Sequence, residues 1–90
     1  MSAYRVFYSE QAQKLLREVT PKQVQDRIRA RIRGLADNPR PPGAEALHGE
    51  LAGLMRIRQG RYRVAYQVDD RERTVRIWTI GPRGNVYKRL

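Results

Sequence analysis

The stretch from Gly53 to Val68, GLMRIRQGRYRVAYQV, decides how this chain folds. Arginine alternates in it with apolar residues, first around Ile57 and again around Val64. Strict alternation predicts a β-strand with one buried face and one solvent-facing side, because successive side chains of a strand point to opposite faces. Between the two runs, Gly60 stands where a tight turn needs a positive φ. The stretch therefore predicts a β-hairpin whose outer face is lined with arginine.

The arginines of this predicted hairpin are Arg56, Arg58, Arg61 and Arg63. Guanidinium groups on neighbouring strands repel one another unless an anion lies between them. Their planar fork of donors suits phosphate particularly well. A solvated amphipathic strand is the alternative explanation for Arg56 and Arg58, since alternation alone predicts one. Arg63 fits that explanation less well, because it adds a guanidinium on the adjacent strand.

The chain as a whole is strongly basic. It has 90 residues, with 19 Lys and Arg against 9 Asp and Glu, which gives a formal net charge of +10. The length predicts a single domain over residues 1–90. An arginine-rich genome explains part of the arginine-to-lysine ratio but not the net charge. A charge this large on a small domain favours a nucleic acid or an acidic protein as partner.

The composition excludes several kinds of site. The absence of cysteine excludes disulfides, thiolate nucleophiles and cysteine-based zinc sites, and the single histidine excludes a histidine-rich metal cluster. The N-terminal residues lack the apolar segment of a signal peptide, and no apolar run approaches the roughly 20 residues of a membrane span. We therefore expect a cytoplasmic protein without a cofactor and without membrane contact.

Two helices are predicted before the hairpin. Ser9 is a suitable N-cap for the first helix, which we expect to end near Val19. Thr20 is predicted to cap the second helix, with Pro21 in its first turn and Gln23 completing a capping box. The apolar stripe of the second helix consists of Val24, Ile28, Ile32 and Leu35. Its arginines, on the opposite face, are Arg27, Arg29, Arg31 and Arg33. The helix should stop at Asn38-Pro39.

Four strands complete the prediction. They are expected near Tyr4–Tyr8, Leu54–Gln59, Tyr62–Val68 and Thr74–Ile80. The sequence pattern of the connector from Glu45 to Glu50 predicts neither a helix nor a strand. Tyr66 and Trp78 are predicted to pack in the core or against the sheet. The resulting order is β-α-α-β-β-β, a two-layer α+β fold with a helical hairpin packed on one face of a mainly antiparallel four-stranded sheet. The arginines of the hairpin must then occupy the open sheet face, because the helix-covered face has to be apolar.

Short motifs are spread over nearly the whole chain in a specific order. They are Tyr4-x-Val6, Ala12, Leu15-Leu16, Asn38-Pro39, Leu47-x-Gly49, Gly53-Leu54-x-Arg56-Ile57-Arg58, Gly60-x-Tyr62-Arg63-Val64-x-Tyr66, Ile80-Gly81-x-Arg83 and Val86-Tyr87. Together they resemble the RelE/ParE superfamily of bacterial toxin–antitoxin toxins. The resemblance implies the β-α-α-β-β-β fold and neutralisation by a cognate acidic antitoxin that covers the basic face.

The superfamily has two functional branches. RelE-like members cut mRNA in the ribosomal A site, contact ribosomal RNA and inhibit translation, without a metal. The products are a 2′,3′-cyclic phosphate and a 5′-hydroxyl. ParE-like members act on DNA gyrase and lack the RNase residues. Because the basic and aromatic residues of the RelE-like site are present, the resemblance favours a metal-independent endoribonuclease. A gyrase inhibitor and a non-catalytic member that only binds its antitoxin are the alternatives.

The resemblance also assigns roles to individual residues. Arg56, Arg58 and Arg63 match the basic residues that bind the scissile phosphate and stabilise the transition state. Arg83 would neutralise developing charge, and Tyr87 would stack on a base or shape the site near the leaving group. One departure is Pro82, which stands where RelE-like relatives often have a basic residue or histidine.

The general base is the remaining assignment. Arg56 stands where some relatives have lysine, but arginine keeps its proton in proteins and therefore makes an electrostatic clamp rather than a base. Other branches use a carboxylate or histidine two residues before the conserved leucine of the connector. Glu45 lies at that distance from Leu47, and His48 and Glu50 are weaker candidates.

Overall fold

The computed structural model describes residues 3–82. Within that range the chain forms two α-helices and a five-stranded sheet. The elements are β1 (Arg5–Tyr8), α1 (Glu10–Arg17), α2 (Lys22–Arg33), β2 (Glu45–Ala46), β3 (Met55–Gln59), β4 (Tyr62–Asp69) and β5 (Thr74–Gly81). Single 3₁₀ turns lie at Gly34–Ala36 and Gly49–Leu51.

The five strands form one mixed sheet in the order β1-β5-β4-β3-β2. Strand β1 pairs in parallel with β5, and every other neighbouring pair is antiparallel. The two-layer α+β class is confirmed, and β5 lies inside the sheet between β1 and β4. The predicted count of four strands was wrong, because the connector contributes β2 at the edge of the sheet. That strand is only two residues long, too short to produce a readable alternation.

The β3–β4 hairpin forms as its alternation predicts. Gly60, in the turn, has a φ of 61°, which glycine adopts without steric cost. Ile57 and Val64 are cross-strand partners, and both are fully buried. The buried pair fixes the register, since a slip by one residue would turn every arginine of the hairpin towards the core.

The hydrophobic core lies between the sheet and the helices. Its helical side includes Ala12 and Leu16 of α1, with Ile28 and Ile32 of α2. Its sheet side consists of Ile57, Val64, Tyr66, Val75, Ile77 and Ile80. Each fully buried large aliphatic side chain contributes about 1.5–3 kcal/mol to folding. The core therefore occupies one sheet face.

Within residues 3–82, no helix is long and apolar enough to cross a membrane.

The two helices differ in how they begin. The hydroxyl of Ser9 accepts a hydrogen bond from the backbone N–H of Ala12 at 3.0 Å, so the predicted N-cap of α1 is confirmed. The predicted capping box of α2 was wrong. The N-cap is Pro21, whose carbonyl accepts bonds from the amides of Val24 and Gln25, and no side chain caps the helix. Thr20 therefore lies one residue before the N-cap position.

Candidate functional site

Three arginines share the sheet face that points away from the helices. Arg58 and Arg63 are direct cross-strand partners, and Arg56 lies opposite Ala65 on the same face. The intervening residue, Ile57, points into the core. Alternation and register together therefore place three guanidinium groups on neighbouring positions of β3 and β4. We call this set, Arg56, Arg58 and Arg63, the arginine clamp.

Glu45 faces the clamp from the edge strand. It is the cross-strand partner of Arg56, and the Nη2 of Arg56 donates a hydrogen bond to Glu45 Oε2 at 2.6 Å. The side chain of Arg56 is 21% exposed, whereas that of Glu45 is 58% exposed. A charge-assisted bond of this length fixes the guanidinium plane but leaves the carboxylate open to solvent. The connector thus supplies a carboxylate beside the clamp.

Part of the hydrogen-bonding capacity of the clamp is unused. Within residues 3–82, the Nε donors of Arg56 and Arg63 are buried and have no acceptor. Arg63 also donates weakly from Nη1 to the carbonyl of Pro82, at 3.4 Å. Buried donors without partners are rare in folded proteins, because each costs about 1–3 kcal/mol. Both donors could be satisfied by an anion bound on this face.

The other candidate bases of the connector lie apart from this pairing. His48 and Glu50 are both exposed, and Glu50 belongs to the 3₁₀ turn that follows β2. Among the described residues, neither forms an ion pair with an arginine of the clamp. Of the three connector residues, Glu45 is therefore the one that the structure brings next to the guanidinium groups.

Arg83 and Tyr87, which complete the predicted site, lie outside the described residues. The chain reaches the end of that range beside the clamp, because Gly81 is the cross-strand partner of Arg63.

The open face also carries aromatic residues that the sequence analysis did not assign to the site. Phe7 of β1 is 48% exposed. Trp78, which was assigned to core or sheet packing, is half-buried and lies under the guanidinium group of Arg76, 4.9 Å from the ring centre. A β-bulge leaves Trp78 without a cross-strand partner on β4, since Ala65 pairs with Thr79 and Tyr66 pairs with Ile77. The alternation in β1 places Phe7 on the same face as Arg5, and this pattern could have predicted that Phe7 is exposed.

The clamp forms a basic patch on the open sheet face. A separate cavity of about 330 Å³ lies between the β3–β4 turn and the start of α2, where it is lined by Gly60, Tyr62 and Val24. Within the part of the chain that the structure describes, no group of three or more His, Asp or Glu side chains could hold a metal ion. Chemically, the face can bind a phosphate through its guanidinium groups and offer one carboxylate as a proton acceptor.

Comparison with known proteins identifies the family. Residues 6–87 match the sequence profile of the ParE toxin of type II toxin–antitoxin system, parDE. The toxin RelG of Mycobacterium tuberculosis is 30% identical over 86 residues, which cover 96% of this chain and 98% of that toxin.

Solved structures agree with this match. A chain of the RelBE2 toxin–antitoxin complex from Mycobacterium tuberculosis superposes with a TM-score of 0.80 at 28% identity, covering 90% of this chain and 99% of that chain. A chain of the archaeal RelE–RelB complex from Pyrococcus horikoshii gives 0.78 at 32% identity, with coverage of 91% and 97%. The isolated E. coli RelE toxin gives 0.74 at 25% identity, with coverage of 97% and 94%. The chain therefore belongs to the RelE/ParE superfamily of toxins of type II toxin–antitoxin systems.

Proposed function

We propose that this chain is a RelE-like toxin, a metal-independent endoribonuclease that cuts mRNA in the ribosomal A site and so inhibits translation. The observation that carries the proposal is the arginine clamp, with two buried donors that have no acceptor within residues 3–82 and the carboxylate of Glu45 beside it. Three guanidinium groups with a carboxylate beside them suit the binding of a phosphate and the transfer of a proton. The RelE and RelG relatives support the same branch.

The proposed reaction is attack of the RNA 2′-hydroxyl on the adjacent phosphate. Glu45 takes the proton of the 2′-hydroxyl as the new P–O bond forms. The guanidinium groups of Arg58 and Arg63 stabilise the charge that builds on the non-bridging oxygens, where preorganised donors have their largest effect. The bond to the 5′-oxygen then breaks and that oxygen takes a proton from solvent. The products are a 2′,3′-cyclic phosphate and a 5′-hydroxyl, and Arg83 and Tyr87 are proposed to complete the site.

The ion pair between Arg56 and Glu45 links substrate binding to activation of Glu45 as the general base. A phosphate that enters the clamp competes with Glu45 for the guanidinium of Arg56, since both anions accept the same fork of donors. Binding of the phosphate would therefore release a carboxylate oxygen beside the clamp, which is then able to accept the 2′-proton. Positioning of base and phosphate in one step is a large part of the catalysis available without a metal.

We also propose that an acidic antitoxin neutralises this toxin. The RelBE2 structure is a toxin–antitoxin complex, and the RelE of Pyrococcus horikoshii was solved with RelB. The net charge of +10 suits an acidic partner.

A reconstituted translation system tests the proposed activity. The purified toxin is added to ribosomes stalled on a defined mRNA, and the fragments are analysed by primer extension and by the chemistry of their ends. We expect cuts in the A-site codon that carry a 2′,3′-cyclic phosphate, and no comparable cleavage of the same mRNA without ribosomes. Intact mRNA on programmed ribosomes would contradict the proposal.

The ParE description of the matching profile supports a second candidate, a gyrase inhibitor without its own chemistry. Under that alternative, supercoiling by purified DNA gyrase is inhibited by the toxin while programmed ribosomes keep their mRNA intact. A non-catalytic member that only binds its antitoxin would affect neither assay. The two assays together separate the three functions.

A further inference from the structure

We propose that the open sheet face carries a second RNA contact beside the arginine clamp, a stacking platform for single-stranded RNA. We call it the aromatic platform, and it consists of Arg5, Phe7, Arg76 and Trp78. The proposal rests on the proposed function only in that the bound strand is the RNA whose phosphate the clamp holds.

The strand register brings the platform together. Phe7 of β1 is the cross-strand partner of Arg76 of β5, and Arg76 is the partner of Gln67 of β4. The indole N–H of Trp78 points to the amide oxygen of Gln67, with 3.4 Å between the two heavy atoms. The two aromatic rings therefore lie on the same sheet face as the clamp, on the side of β1.

The rings of the platform are accompanied by positive charge. The guanidinium carbon of Arg5 lies 5.6 Å from the ring centre of Phe7, and that of Arg76 lies 4.9 Å from the ring centre of Trp78. Among residues 3–82, neither arginine forms an ion pair with an acidic side chain. Both charges are thus available to an external anion, while each guanidinium group lies against an aromatic ring.

This combination indicates a single-stranded nucleic acid as the occupant. Single-stranded RNA presents flat bases and a phosphate for each base, and proteins bind it with aromatic rings and arginine on an open surface. Phe7 is the large hydrophobic side chain that the described part of the chain leaves exposed. An apolar protein partner would require a continuous hydrophobic patch, and here a charged guanidinium group lies over each ring. Charge complementarity therefore favours RNA over an apolar partner.

The platform lies within reach of the clamp. Gln67 follows Arg63 by four residues on β4, which corresponds to roughly 13 Å at about 3.3 Å per residue. A short RNA strand whose scissile phosphate lies on Arg63 can therefore place flanking bases on Trp78 and Phe7. The platform would hold the strand by stacking, without reading its sequence through hydrogen bonds.

Binding of free RNA tests the platform independently of cleavage. The chain has one tryptophan, so its fluorescence reports on Trp78 alone. The purified full-length toxin is titrated with an unstructured 12-nucleotide RNA, and tryptophan quenching and the anisotropy of a labelled RNA are recorded. We expect quenching on binding, affinity at least about 5-fold weaker for Phe7→Ala, and nearly unchanged affinity for Phe7→Tyr. Melting temperatures of both variants establish that they fold.

A matched pair of charge variants controls for non-specific attraction. Arg76→Ala removes a charge from the platform, and Arg27→Ala removes one from an exposed position of α2 in the other layer. We expect Arg76→Ala to weaken RNA binding several-fold more than Arg27→Ala. Equal losses in this pair, unchanged affinity of Phe7→Ala, or the absence of quenching would each overturn the platform. Weaker binding of the antitoxin by Phe7→Ala, with unchanged RNA binding, would overturn it too and assign this face to a protein.

The RNA-binding experiment and the ribosome cleavage assay can fail independently of each other. If the platform variants lose affinity for RNA while programmed ribosomes keep their mRNA intact, the platform stands as a binding site and the endoribonuclease proposal fails. If mRNA on programmed ribosomes is cut but the aromatic platform does not contribute to RNA binding, the endoribonuclease proposal stands and the platform is wrong.

Discussion

At the scale of single residues, the site depends on two features of the arginines, their common face and their incomplete hydrogen bonding. Arg63 is the clearest case, since its Nε is buried without an acceptor among the described residues and its Nη1 has one weak contact. The donors that Arg63 leaves unpaired within residues 3–82 are available to a phosphate bound on this face. Donors aimed at a developing negative charge stabilise the transition state.

Replacing Arg63 with alanine tests this role. We expect Arg63→Ala to lower ribosome-dependent cleavage by about 10²–10³-fold, the usual effect of losing one oxyanion donor. The melting temperature should change little, because the side chain joins no ion pair within residues 3–82. The matched control is Arg71→Ala, which removes the same charge from the exposed β4–β5 turn. Loss of folding in Arg63→Ala would show a structural role instead.

Glu45 gives a second prediction at this scale. Glu45→Gln keeps the shape of the side chain but removes the proton acceptor, so cleavage should fall by about 10²-fold. The free energy of unfolding should change by no more than about 1 kcal/mol, because exposed ion pairs contribute little. Glu50→Gln is the control, since it changes the other connector carboxylate. Single-turnover cleavage rates decide the assignment, and a larger loss in Glu50→Gln than in Glu45→Gln would contradict it.

At the scale of elements, sequence patterns predicted the parts whose periodicity is long enough to read. The alternation around Ile57 and Val64 predicted the hairpin, its turn glycine and the outward direction of the arginines. Strand β2 was missed because two residues show no period. Trp78 was assigned to packing because it is aromatic, although its spacing of two residues from Arg76 places both side chains on the open face.

The predicted capping box of α2 was wrong because the helix begins one residue later than the motif implies. The motif beginning at Thr20 is present in the sequence, but the carbonyl of Pro21 takes the first helical hydrogen bonds, which moves the N-cap one residue along the chain. Of the predicted site, the positions of Arg56, Arg58 and Arg63 on the open face followed from strand parity alone. The pairing of Glu45 with Arg56 required the register of β2 on β3, a contact between segments that only the folded chain defines.

Tyr66 connects two elements and gives a prediction at this scale. Its hydroxyl, buried in the core, donates to the carbonyl of Pro39 at 2.7 Å and so ties β4 to the segment after α2. Tyr66→Phe should destabilise the protein by about 1–3 kcal/mol, since the carbonyl loses its partner. Urea denaturation at neutral pH measures the difference in the free energy of unfolding. An unchanged midpoint would show that this hydrogen bond contributes nothing to stability.

The same side chain predicts a dependence on alkaline pH. Burial raises the pKa of Tyr66 from 10.0 to about 12, against the weaker opposing charges of Arg31 and Arg40. A pKa raised in the folded state means that its contribution is complete below pH 10 and is lost as the pH rises towards about 12. The stability of the unmodified protein should therefore fall more steeply over this interval than that of Tyr66→Phe.

At the scale of the whole molecule, Asp70 joins segments that are far apart in the sequence. Its carboxylate accepts a hydrogen bond from the hydroxyl of Tyr4 at 2.6 Å and two from Arg40, at 3.1 and 2.9 Å. The three residues connect the chain before β1, the segment after α2 and the β4–β5 turn. This cluster lies away from the arginine clamp and closes the fold at its surface.

The cluster predicts a loss of stability in acid. The hydrogen bonds from Arg40 and then Tyr4 lower the pKa of Asp70 from 3.8 to about 2. A lowered pKa contributes stability above pH 3.8, and this contribution is lost as the pH falls towards about 2. Asp70→Asn should therefore melt at a lower temperature than the unmodified protein at pH 6, and the difference should disappear near pH 2. A constant difference across this range would contradict the assignment.

In the cell, the proposed toxin cuts mRNA during translation. Mapping of mRNA 5′-ends after induced expression tests this activity, with Arg63→Ala expressed in parallel. We predict new 5′-hydroxyl ends inside translated coding sequences, absent in Arg63→Ala and absent when translation initiation is blocked beforehand. Growth arrest with no translation-dependent ends, accompanied by inhibition of DNA gyrase, would contradict the account and assign the toxin to the ParE-like branch.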